Sequence, residues 1–477
     1  LEATARRISL VSRRGTPHCA KTITGTSAHE AIFGSVRSGV CYIPQVMKRK
    51  TSRISGISFV KELGGIKEYR LEKNGLRILL ASDSAQPVTG CMVTYHVGSR
   101  DEATGYTGAT HLLEHLMFKG STHFNKENKR TVWDLLETKG ALVNATTWHD
   151  RTNYYEVVPK EYLVDAIALE ADRMRKAFIR EEHRQSEMTV VRNEFERGEN
   201  KPAEAVDKLV WALAFQAHPY HHSTIGWRSD IEKVPIERLK RFYDDFYWPD
   251  NATVTIAGGF NTIAALKLIK NHFGKHSKNP NPYPAMYTEE PPQEGERRGI
   301  VKRTGVDLIC VAHKIPNAHH PDAPALAILS LILAYGKTSR LYRALVDSAK
   351  ATSASVYGYE NKDPSLFQVF VTLANGQKHA VIECIVKKVY EEVKKKGVTI
   401  QELAAAKRSA RVGYASRRDG VYNLLASLNE EISTGNWTRF ITHPQALQKV
   451  TVEDVRRVAR TYLIEDHSTV GWFVHTA

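Results

Sequence analysis

The residues best placed to do chemistry lie in the run TGATHLLEHLMFKGS, where His111, Glu114 and His115 form an HxxEH set. Histidines four apart on an α-helix share one face, one turn apart, so a single metal ion can accept both imidazoles. Glu114 falls near that face and can hold a water against the metal without being a ligand itself, the arrangement that metal-assisted hydrolysis needs. A hydrolytic zinc site also needs a third protein ligand, with the fourth position left open. The run SEMTVVRNEFE offers one. Glu187 and Glu194 are seven apart and share a helix face over two turns. Glu194 is the expected third ligand, and Glu187 a second acid that tunes the site or holds a substrate amine. One Zn2+ per chain is therefore expected, with Glu114 as the general base that later delivers its proton to the leaving amine. Both histidines must be neutral to bind, so activity should fall in acid.

HxxEH is the inverted order of the commoner HExxH zinc motif. Together with the distal glutamates it resembles the pitrilysin-type (inverse zincin) metallopeptidases, which include insulin-degrading enzymes, mitochondrial processing peptidases and many bacterial peptidases. The resemblance runs over roughly residues 60–477. It implies zinc ligation by His111, His115 and Glu194, catalysis by Glu114 and assistance from Glu187. The run Asn144-Ala145-Thr146-Thr147, followed by Asp150 to Tyr155, resembles the family's strand beside the active-site helix. In the family, substrate adds to that edge as a further strand, which makes Asn144, Ala145 and Thr146 candidate substrate contacts. Backbone pairing reads shape rather than sequence, so the expected substrates are peptides or unfolded segments. Family members enclose substrate in a chamber of four domains, whereas this chain has two. The expected partner is therefore a second two-domain chain, identical or a catalytically inactive homologue. The alternative is a non-catalytic peptide-binding or structural subunit of a paired complex, although such subunits usually lose the metal residues that this chain keeps.

At 477 residues the chain is too long for one core. Its net charge of +15 is uneven, since residues 1–57 hold ten Lys/Arg against two Glu. The body lacks a concentrated basic-aromatic tract, so nucleic acid is not an expected partner. No run approaches eighteen apolar residues, which leaves no transmembrane helix. Five scattered cysteines without a CxxC pair argue against structural disulfides. Residues 1–57 are expected to be a basic flexible extension. Their Arg-rich, acid-poor composition also resembles a mitochondrial presequence, and a pro-segment or a misassigned gene start fits too. The HPYHHSTIGW and VVRNE runs, by their resemblance to the family, imply a bacterial peptidase, in periplasm or cytoplasm, with the mitochondrial matrix as the alternative. His218, His221 and His222 have spacing that can bind metal, but they sit in a Pro-containing loop, and the expectation is a structural role.

The elements that must position the site follow from periodicity and punctuation. Asn74-Gly75 marks a hairpin within the run Tyr69 to Ala81. A helix is expected from Thr110 to a C-cap at Gly120, and a second from Asn128 to Thr138. Further helices are expected over 160–180, 182–196, 203–214 and 235–246, then a strand over 252–257. Residues 277–296 carry five prolines and mark a domain boundary. Beyond it the chain repeats. A shift of 216 residues lays Ile236–Val254 on Val452–Val470, matching Glu237 with Glu453, Arg241 with Arg457 and Thr253 with Thr469. The same shift puts His111, Glu114 and His115 on Ala327, Ser330 and Leu331. The expected fold is thus α+β, with two homologous domains, each a mostly antiparallel sheet packed with helices. A catalytic domain at 58–276 and a linker at 277–296 precede a domain without metal residues at 297–477. In the second domain the AYGKTSRLYRALV run is expected to open a helix. Its Arg340 and Tyr342 are candidate substrate residues if that region faces the cleft, and capping or surface residues otherwise.

Overall fold

The computed structural model describes residues 54–476, so the readings of the basic segment before residue 54 lie outside the described residues. The first half has strands β1 (Ile57–Leu63), β2 (Ile66–Leu71), β3 (Arg77–Ser82), β4 (Val88–Tyr95), β5 (Leu142–Thr147), β6 (Thr152–Pro159) and β7 (Ala252–Gly258). Its helices are α1 (Ala109–Leu116), α2 (Val132–Leu135), α3 (Leu163–Lys176), α4 (Glu181–Glu199), α5 (Pro202–Ala214), α6 (Arg228–Lys233), α7 (Ile236–Phe246) and α8 (Thr262–Phe273). The second half has β8 (Arg297–Arg303), β9 (Leu308–Ile315), β10 (Ala351–Gly358), β11 (Ser365–Leu373) and β12 (Ser468–His475). It adds α9 (Ala323–Ala334), α10 (His379–Lys396), α11 (Ile400–Arg417), α12 (Val421–Ser433), α13 (Arg439–Lys449) and α14 (Val452–Tyr462). Residues 277–296 contain no helix or strand.

The first sheet runs β1-β2-β3-β7-β4-β6-β5, and the second, taken from its far end, runs β8-β12-β9-β11-β10. Drop the β1-β2 hairpin and the two orders coincide. Each has one parallel neighbour pair, β3 with β7 and β8 with β12, among otherwise antiparallel ones. The two homologous α+β domains expected from the 216-residue shift are present, and α7-β7 and α14-β12 are the matched segments. β1 and the first residues of β2 precede the hairpin run expected from Tyr69 to Ala81. The β1-β2 hairpin turns at Gly64-Gly65, where φ is +59 and +85, values glycine adopts without steric cost.

Each half covers a face of the other half's sheet. Val206, Val210 and Trp211 of α5 pack with Leu308, Cys310 and Phe473 of the second sheet. In return Val421 and Leu425 of α12 pack with Met92, Tyr155 and Ala257 of the first. Full burial of one such side chain stabilises by about 1.5–3 kcal/mol, so the exchange binds the halves together firmly. The sheets make room for these helices with glycine. A Cβ on Gly90 of β4 meets Leu425 Cδ1 at 2.3 Å, and one on Gly471 of β12 meets Val210 Cγ2 at 2.6 Å.

Several helices differ from expectation. α1 stops at Leu116, and Gly120, at φ +118, belongs to the loop beyond rather than to a C-cap. The helix expected over 128–138 contracts to α2, because Lys129 takes a positive φ and Thr131 starts the helix with a capping box to Asp134. After Gly336 the chain forms a single wide turn, Tyr342–Val346, in place of a regular α-helix.

Candidate metal centre

The site begins with a buried carboxylate. Glu102 accepts the N–H groups of Gly108 and Thr110, both at 2.7 Å, and so satisfies free donors at the start of α1. Burial pushes its carboxyl up to about 8, against the pull of those same bonds. Gly108 enters the helix at φ +84, and Leu112, Leu113 and Leu116 then anchor α1 in the core. That packing turns His111 and His115 toward α4. Nε2 of each histidine lies 3.7 Å from the same oxygen of Glu194. The three potential ligand atoms all fall within 4.8 Å of one another, the one such group among the described residues.

The donor set suits a zinc ion. Nδ1 of His111 is buried without a partner, and burial, then the charge on His115, holds this imidazole down at about 3, so it is neutral and able to ligate. His115 is fixed through its other nitrogen, with Nδ1 3.1 Å from Glu187 Oε2, which leaves Nε2 turned to the shared point. Burial disfavours the charged form of His115, but the Glu187 hydrogen bond and the charges of Glu114, Glu194 and Glu187 raise it overall. Glu187 also pairs with Lys119, one turn beyond His115. Burial alone would raise Glu187, and the contacts with His115 and Lys119 hold it down instead. Two imidazole nitrogens and one carboxylate are the protein share of a catalytic zinc site.

Glu114 is nearly buried, and that burial raises its carboxyl, opposed by a hydrogen bond donated by Thr147 Oγ1. Thr147 is the last residue of β5, the open edge of the first sheet. Side chains alternate along a strand. Thr147 therefore turns to Glu114, while Thr146 turns to the other face and bonds Asn153. Ala145 is buried, and exposed Asn144 accepts the N–H of Ala145 at 2.9 Å. A cavity of about 430 Å³ opens beside His111 and Glu194, walled by Trp148, Phe195 and Trp211.

Other candidates lie apart from this centre. Arg340 pairs with Glu402 of α11 at 2.8 Å and donates to the carbonyl of Gly397, while Tyr342 opens the wide turn; neither lines the cavity. His218 contacts Asp363 at 3.2 Å, His221 contacts the carbonyl of His218, and His222 lies 3.7 Å from Glu102. Glu102, Lys119 and Thr147 are site residues the sequence does not single out. Lys119 has the one local signal, its i+4 spacing from His115.

Residues 77–227 match the insulinase (peptidase family M16) model, and residues 233–410 match the model of the peptidase M16 inactive domain. The chain belongs to peptidase family M16. As an M16 zinc metallopeptidase, it carries all its candidate metal residues within the insulinase match. Zinc protease PqqE of Helicobacter pylori is 29% identical over 407 residues, covering 83% of this chain and 90% of that protein. The crystal structure of a protease from Helicobacter pylori superposes with a TM-score of 0.82 at 26% identity, covering 86% of this chain and 99% of that one. Pitrilysin shares the fold at a TM-score of 0.72 and 15% identity, with 88% of this M16 chain covering 46% of pitrilysin.

Proposed function

We propose that the chain is a zinc endopeptidase in which His111, His115 and Glu194 hold the metal and Glu114 moves the proton. The convergence of two Nε2 atoms on one Glu194 oxygen carries the reading. Zinc bound there supplies a Lewis acid that polarises a peptide carbonyl and acidifies water. The remaining work falls to the chain's own side chains. Glu114, held by the Thr147 hydroxyl, takes the proton of the attacking water and returns it to the leaving amine. Glu187 fixes the tautomer and orientation of His115, the outer contact that raises a histidine's basicity as a ligand. The open edge of β5 receives an extended peptide as another strand, with Asn144, Ala145 and Thr146 beside it. Substrates are then peptides or unfolded segments.

The domain limits 58–276 and 297–477, joined by the proline-rich 277–296, agree with the repeated strand order. Pitrilysin holds about twice the length this chain covers. That ratio supports closure of a chamber by pairing with a second two-domain chain, a copy or an inactive homologue. No described helix is long and apolar enough to cross a membrane, and a bacterial periplasmic or cytoplasmic setting is the one proposed. The test is zinc content and cleavage of a quenched, unstructured peptide by the wild type and by Glu114→Gln. The variant should keep its zinc and lose turnover. A wild type without zinc would overturn the reading, and zinc without cleavage calls for adding the partner chain.

A further inference from the structure

The face of β5 turned away from the metal is held by a network that reaches into the second domain. Arg151, buried at the end of the β5-β6 turn, donates through one nitrogen to the Thr146 carbonyl at 3.1 Å and to its hydroxyl at 2.6 Å. Its other terminal nitrogen meets Glu430 of α12 at 2.5 Å. The residue before it, Asn429, accepts the Thr94 hydroxyl of β4 at 2.6 Å. Glu430 is itself half exposed, but Asn429 is buried, so its helix has little freedom at that point. A guanidinium that binds a backbone carbonyl, a hydroxyl and a carboxylate at once has a fixed plane, and a buried charge of this kind is costly to leave unpaired. Thr146 is directly joined to Thr147, whose hydroxyl holds Glu114. One side of β5 thus carries the contact to the general base and the other carries the contact to α12.

We infer that Arg151, anchored on Glu430 of the second domain, is a positioning residue for the metal centre: it locks β5 in register, and with it both the Thr147 contact to Glu114 and the edge that receives the peptide. A one-residue slip of a strand moves every side chain to the opposite face, so Thr147 bonds Glu114 only in the register that Arg151 clamps. The second domain, which has none of the metal residues, then contributes to catalysis through one ion pair. This inference rests on the endopeptidase reading, and its test separates the two.

The full zinc-loaded chain is compared with Arg151→Met, Arg151→Lys and Glu430→Gln, measuring bound zinc, hydrogen exchange of the β5 amides that pair with β6, and kcat and KM separately. Arg151→Met should retain zinc, speed that exchange about tenfold or more and lower kcat about tenfold to a hundredfold. Arg151→Lys should recover little, because a compact ammonium cannot span Thr146 and Glu430 together. Glu430→Gln should give the same pattern at a few-fold, on the order of one weakened charged contact. Unchanged β5 exchange in a folded, zinc-loaded Arg151→Met chain would overturn the inference, as would full recovery by lysine. Should Arg151→Met fail to fold, unchanged exchange in Glu430→Gln overturns it equally. A wild type that cleaves nothing even with a partner chain added sinks the endopeptidase reading alone, since the exchange comparison still tests the clamp.

Discussion

Helices α1 and α9 occupy matching places in two sheets of the same strand order, yet they are built from opposite materials. α9 reads APALAILSLILA, and Leu326, Ile328, Leu329, Ile332 and Leu333 are all buried. α1 reads ATHLLEHL and puts two histidines and a nearly buried glutamate where an apolar helix would serve stability better. The second site follows suit. Under the 216-residue shift, Glu187 and Glu194 of α4 correspond to Leu403 and Ala410 of α11. The duplication shows that the fold does not require these polar groups, so their presence in one copy is a matter of function. Active sites regularly give up stability in this way.

Making α1 resemble α9 tests that contrast most severely. In His111→Leu, turnover should fall by at least about a thousandfold, given that metal supply and proton transfer both depend on this helix. The metal-free variant should melt no lower than the metal-free wild type, because a buried nitrogen without a partner is replaced by an apolar group. Ser330→Ala, at the position in α9 that matches Glu114, should leave turnover unchanged. Metal analysis, peptide cleavage and thermal melts decide all three.

A smaller effect is expected at Glu187, whose counterpart is Leu403. Glu187→Ala removes the carboxylate that orients His115 and pairs with Lys119. Losing such an outer contact costs about 10–100-fold in metal affinity or activity. Competition with a zinc chelator measures the first and peptide cleavage the second. An affinity within about twofold of wild type, below that range, would leave Glu187 without a role in holding His115.

The exchanged helices bring the two halves onto an equal footing. Gly90→Ala and Gly471→Ala should each destabilise by about 1–3 kcal/mol, because both Cβ atoms meet packed aliphatic side chains. Denaturant melts should show the same single transition in both, since α5 and α12 tie the domains together. Separate transitions would mean that the halves unfold independently.

The grouping of the candidate metal centre was legible because helix periodicity ties His111, Glu114 and His115 to one turn, and Glu187 and Glu194 to one face. The second domain was legible from the 216-residue shift, since α7-β7 and α14-β12 kept both their periods and some identities. What escaped was set by tertiary contact. The α1 terminus moved to Leu116, where no glycine marks it. The β1-β2 hairpin has only Gly64-Gly65 to mark it, and most of β1 is exposed. The crossing of α5 and α12 onto each other's sheets leaves only glycines in strands as a trace, and Gly90 and Gly471 carry no period that a single sequence reveals. Thr147 looked like one more strand residue until its face was known.

The smallest effect concerns acid. Ile167, the fifth residue of α3, is fully buried in the first core, whereas Glu383, the fifth residue of α10, accepts from both terminal nitrogens of Arg298 at 2.8 and 2.7 Å and from Trp472 at 3.0 Å. Burial opposes its charged form, yet the Arg298 and Lys387 contacts hold its carboxyl down to about 2, from an ordinary 4.5. A carboxyl held lower in the folded chain than in the unfolded one stabilises fully above the unfolded value. That contribution is lost as pH falls from about 4.5 towards 2, because the unfolded chain takes up the proton first. Melting temperatures followed across that window should fall less steeply in Glu383→Gln than in the wild type. The comparison is made in the His111→Leu background, so that loss of zinc in acid does not contribute. Equal slopes would mean that the Arg298–Glu383 pair, partly open to solvent on the arginine side, is as weak as a surface ion pair.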